Sequence, residues 1–153
     1  MPKGSFSGHL KTIYHEDLDL YEVDETVFFH RSNGDIIPVP KGLYTDFASS
    51  PRLFWFLFPK TGPYNIAAAL HDFLCQGEFF PIWMCNRIFL EALEAIPEVP
   101  RWKIKPMHMA VEMGTWATYI KHTKVSVNKT RRLFHVSDNG KRPLWKDGIA
   151  HFV

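Results

Sequence analysis

Ten residues in a row, Ile66-Ala-Ala-Ala-Leu-His-Asp-Phe-Leu-Cys75, set the strongest constraint on how this chain folds. Read as a helix, the segment is apolar on nearly every side, and such a helix belongs in the middle of a core. Pro63 suits its opening turn, and the helix is predicted over Tyr64–Cys75 with Gly77 ending it. His71 and Asp72 are the only polar side chains of the run. A buried carboxylate costs several kcal/mol unless it is paired, hydrogen-bonded or metal-bound, so something elsewhere in the chain must answer Asp72.

The surrounding sequence supplies the rest of an α+β domain. LDLYEV (18–23) and TVFFH (26–30) are short runs rich in β-branched and aromatic residues. Ser32-Asn33-Gly34-Asp35 is a hairpin turn, because Asn-Gly is the pair that turn geometry favours. Ile36, Ile37 and Val39 continue as a strand that Pro38 and Pro40 confine to a sheet edge. The first 45 residues therefore read as one small, mostly antiparallel sheet. About four helices pack on it. Ser50-Pro51 caps a short one over Arg52–Phe58, and the central helix follows. A third runs from Ile82 to Ile96, before Pro97 and Pro100, and a fourth covers Lys103–Ile120. Tyr64, Trp83, Trp102 and Trp116 stand at helical spacings and are expected in the core. Residues 1–120 form the domain. Residues 121–153 lose helical periodicity and read as an extended or hairpin-like basic tail, with a turn at Asp138-Asn139-Gly140-Lys141.

At 153 residues the chain suits one domain, which buries about 70% of its unfolded surface without needing disulfide staples. Cys75 and Cys85 accordingly read as buried thiols. No apolar h-region follows Met1 and no run of about 18 apolar residues exists, so neither a secretory signal nor a membrane span is expected. Thirteen Phe, five Trp and five Tyr are a heavy aromatic load, and the surplus implies burial against a partner or the tail. The net charge of +2 hides an asymmetry: residues 1–99 carry 7 Lys/Arg against 13 Asp/Glu, and residues 100–153 carry 11 against 3. Docking of the two ends or a subunit contact accounts for this more simply than nucleic acid bound through residues 121–146, since no recognition motif accompanies the charge.

The residues that carry chemistry gather where sheet meets helices. Thr45-Asp46-Phe47-Ala48-Ser49-Ser50-Pro51-Arg52 brings an acid, hydroxyls and a guanidinium to that junction. On the third helix Asn86 shares a face with Phe89, Leu90 and Leu93, and Arg87 follows it. In a functional reading Asp46, His71 and Asp72 bind one hard divalent ion, Asn86 adds an oxygen ligand, and the ion activates water for hydrolysis. In a structural reading Arg52 or Arg87 forks onto Asp46 or Asp72, His71 bonds a backbone carbonyl, and the cluster pins sheet to helices.

The stretch Val39-Pro40-Lys41-Gly42-Leu43-Tyr44-Thr45-Asp46-Phe47-Ala48-Ser49-Ser50-Pro51-Arg52 resembles the signature of a phage and prophage family catalogued as domain of unknown function number 1353. Gly62-Pro63-Tyr64, Ala67-Ala68, His71-Asp72, Asn86, Phe89, Ala92 and Leu93 follow that pattern in order, and the likeness covers roughly residues 5–120. Two positions depart from it: Asn86 stands where the family usually has a second Asp, and Cys75 where it usually has Tyr. Replacing a charged ligand by a neutral amide weakens any metal site there.

The resemblance implies a phage-encoded protein of the host cytoplasm during infection, or of the virion. The leading expectation is a small tail-associated structural or assembly protein, working with other phage proteins or by self-assembly. The alternative is a metal-dependent hydrolase with Asp46, His71 and Asp72 as catalytic groups, and with Arg52, Arg87, Thr45 and Ser49 binding the substrate. A third reading is an accessory protein that binds a host defence factor. Weaker constellations are a zinc set of His71, Cys75, Cys85 and His108, and two H-x-S triplets at His30 and His135.

Overall fold

The structure is a computed structural model, and it describes residues 4–45, 62–77, 80–118, 143–146 and 149–152. Six short strands come first: β1 (Ser5–Ser7), β2 (Thr12–His15), β3 (Leu20–Val23), β4 (Val27–His30), β5 (Ile36–Val39) and β6 (Tyr44–Thr45). The expected turn joins β4 to β5. Gly34 takes φ +93° and Gly34 N–H donates to Arg31 O at 3.1 Å, while Asn33 Oδ1 accepts the Asp35 N–H at 3.0 Å. Pro38 lies opposite Phe28 on β5, which is an edge strand as its prolines require.

The strands do not make the single sheet expected. They make two three-stranded antiparallel sheets, ordered β1-β4-β5 and β2-β3-β6. The chain passes from one sheet to the other at the β1–β2, β3–β4 and β5–β6 links, the shortest being Asp24-Glu25-Thr26 between β3 and β4. None of these three residues takes the positive φ of a tight hairpin, so the chain bends onward and changes partners. Gly42, at φ +86°, donates its N–H to Val23 O, and Val23 N–H returns to Leu43 O at 2.8 Å. That exchange lays β6 beside β3 and delivers Thr45 to the interior.

Three helices follow among the described residues: α1 (Asn65–Gly77), α2 (Ile82–Glu94) and α3 (Arg101–Thr118). The predicted helix over Arg52–Phe58 lies outside the described residues. In α1 every side chain from Ala69 to Cys75 is buried, as an all-round apolar helix demands. On α2 the buried stripe is Cys85, Asn86, Ile88, Phe89, Ala92 and Leu93. Pro106 stands inside α3, where it removes the N–H that would meet the Trp102 carbonyl. One hydrophobic core joins Val23, Val27, Phe29, Ile37 and Val39 of the two sheets with Leu70 and Phe73 of α1, Phe89 of α2 and Met107 of α3.

Two expectations about aromatic residues are corrected. Tyr64 is buried, but Trp83 and Trp102 are 61% and 68% exposed. Each lies on the flank of its helix away from the stripe that meets the core, so helical spacing alone did not place it. In the C-terminal segment β7 (Pro143–Lys146) pairs antiparallel with β8 (Ile149–Phe152). The turn expected at 138–141, like the rest of 119–142, lies outside the described residues. No helix among the described residues is long and apolar enough to cross a membrane.

Candidate functional site

Three elements bring the polar residues of the motif together. Thr45 ends β6, His71 and Asp72 lie in mid-α1, and Asn86 faces them from α2. All four are buried: Thr45 and His71 are 1% exposed, Asn86 4% and Asp72 7%. Thr45 Oγ1 donates to Asp72 Oδ2, so the carboxylate is answered by a hydroxyl across the sheet–helix boundary. His71 Nε2 lies 2.7 Å from Asn86 Oδ1, and since an amide oxygen only accepts, the imidazole carries its proton on Nε2 in that bond. The His71 ring also packs against Phe89, with centroids 5.2 Å apart.

Cys75 stands one helical turn beyond His71, its Sγ 3.6 Å from Nε2 and 3.9 Å from Nδ1. The adjoining Cys85 thiol, burial and the Asp72 carboxylate together push the Cys75 pKa well above its ordinary value of 9.0. Cysteine, histidine and asparagine in contact is also the composition of thiol hydrolase centres. Here the thiol is held protonated and enclosed, the opposite of an activated nucleophile. Cys75 and Cys85 are both free and buried, as expected.

The structure separates the remaining candidates. Arg87 is exposed: one residue along a helix is a turn of about 100°, so it faces solvent while Asn86 faces the core. The expected fork of Arg87 onto Asp72 is therefore corrected, while the Nε2 of His71 meets the Asn86 amide. Asp46, Ser49 and Arg52 lie outside the described residues. His108 is drawn to Glu112 at 3.6 Å on α3, and His30 Nε2 to Ser7 Oγ at 3.1 Å, each remote from the cluster in its contacts. Among the described residues no three His, Cys, Asp or Glu side chains are grouped to hold a metal ion.

A second polar tie escaped the sequence. Glu91 on α2 accepts from Arg31 Nε at 3.1 Å, from Ser32 N–H at 2.8 Å and from Ser32 Oγ at 3.1 Å. One carboxylate thereby clamps the β4–β5 turn onto α2. No spacing in the sequence links Glu91 to Arg31, sixty residues earlier.

The model of a family described as "Protein of unknown function (DUF1353)" matches residues 21–111, which span Thr45, His71, Asp72, Asn86 and Glu91. An uncharacterized protein of Sinorhizobium fredii, y4jT, is 35% identical over 94 residues. That match takes in 60% of this chain but 28% of the relative, so the chain spans under a third of the relative's length. No solved structure matches.

Proposed function

The chain belongs to the DUF1353 family, and from that membership we propose a binding or assembly protein whose signature residues build the fold rather than turn over a substrate. The setting implied by the signature's resemblance is a phage particle, with this protein as a small tail-associated component. One observation carries the reading: His71, the most reactive group of the motif, is 1% exposed and its Nε2 is spent on Asn86 at 2.7 Å. A general base or metal ligand must reach the atom it acts on. An imidazole sealed between two helices and bonded to a side-chain amide instead fixes how the helices meet. Thr45 and Asp72 do the same for sheet and helix. The working surface in this reading is the outside of α2 and α3, where Trp83, Trp102, Met109 and Met113 stand exposed.

The experiment is metal analysis and thermal unfolding of the full chain beside His71→Ala and Asn86→Asp. Expected is protein without stoichiometric metal, His71→Ala destabilised by about 3 kcal/mol from the lost hydrogen bond and the cavity left behind, and Asn86→Asp close to wild type. Stoichiometric metal that His71→Ala abolishes and Asn86→Asp tightens would overturn this reading in favour of the hydrolase.

A further inference from the structure

Helix α3 carries an apolar stripe that the core does not use. Trp102, Met109 and Met113 are 68%, 60% and 56% exposed, and with Pro106 they recur at the four-three-four spacing that keeps residues on one side of a helix. Long apolar side chains scattered singly need no explanation, but three exposed along one line, with the half-buried Pro106 between them, make a surface that wants a cover. At Trp102 the turn from α2 to α3 shapes a half-open cavity of about 590 Å³, lined by Ile96, Val99 and Ile104 together with the charged Glu94, Arg101 and Lys105. A hollow thus lies at the start of the stripe and a protruding methionine near its far end.

That polarity is self-complementary. In an antiparallel packing about a two-fold axis between Met107 and His108, Trp102 falls level with the partner's Met113, and Pro106 level with the partner's Met109. The charges agree with the same register. The partner's Glu112 falls between Arg101 and Lys105, all three of which are exposed and lie on one flank of the helix. Two copies so placed bury both stripes, offer each cavity a methionine, and set an acid between two cations at both ends. We propose that the occupant of this face is a second copy of the chain, joined α3 to α3 in an isologous dimer. The inference rests on the surface of α3 alone, so its failure and that of the buried-cluster reading are separate events.

Sedimentation equilibrium of the full-length protein from about 1 to about 100 μM tests it. A reversible monomer–dimer equilibrium is expected. Met113→Glu and Glu112→Lys should each raise the dissociation constant at least about tenfold, which is about 1.4 kcal/mol, with the far-UV spectrum unchanged because both positions are exposed. Arg101→Glu and Lys105→Glu added to Glu112→Lys should restore association. A monomer throughout the range, a dimer indifferent to Met113→Glu, or charge reversal without rescue would each overturn the proposal.

Discussion

Replacing the hydroxyl of Thr45 while keeping its shape, as in Thr45→Val, removes its hydrogen bond to Asp72. A buried acceptor deprived of a donor costs about 1–3 kcal/mol, and chemical denaturation should show that loss. Cys75 gives a second prediction at this scale, through pH. Its thiol stays protonated in the folded chain beyond the ordinary value of 9.0, whereas the unfolded thiol ionises near it. The unfolded state then binds fewer protons than the folded one, so this contribution to stability falls as pH rises above about 9, by about 1.4 kcal/mol per pH unit until the folded thiol titrates. Below that window it is fully present. Cys75→Ala should flatten the alkaline slope of stability, and an unchanged slope would mean the thiol ionises freely. His71 and Asp72 could be picked out by sequence because polarity inside an apolar helix is conspicuous. Their partners are harder to see: Thr45 reads as a substrate contact, and Arg52 and Arg87 stand as equal candidates for the ion pair. Adjacency in sequence put Arg87 beside Asn86, while the helix turned it away.

At the level of elements, strong local signals located structure well. The all-round apolar run became α1, the Asn-Gly pair became the β4–β5 turn, and paired prolines marked the β5 edge. What local signals do not contain is partnership between distant strands. The three passages between the sheets, Asp24–Thr26 among them, depend on pairings such as Val23 with Leu43, formed only when the chain closes on itself. The clamp at Glu91 is of the same kind. Glu91→Ala frees three donors of the β4–β5 turn, on partly buried groups whose side chains are 15% and 20% exposed at Arg31 and Glu91. It should cost about 1–2 kcal/mol, read from the denaturation midpoint, and hydrogen exchange in residues 31–35 should quicken beyond that global loss. A turn whose exchange tracks global stability alone would show that Gly34 and Asn33 hold it unaided.

Among the described residues, both three-stranded sheets and all three helices contribute to one apolar core. No half of the described chain holds a core of its own, so unfolding should be cooperative. Far-UV circular dichroism, which follows the helices, and near-UV signals from the buried Tyr64 and the sheet tyrosines should give one midpoint; two midpoints would divide the domain. The bond between His71 and Asn86 has a further bearing on how such a chain changes over generations. Most single substitutions at either position break that buried bond. An Asp in place of Asn86 still accepts the imidazole proton, so that single step is open. Other routes need both positions to move together, and sequences related to this one should show the two as a correlated pair.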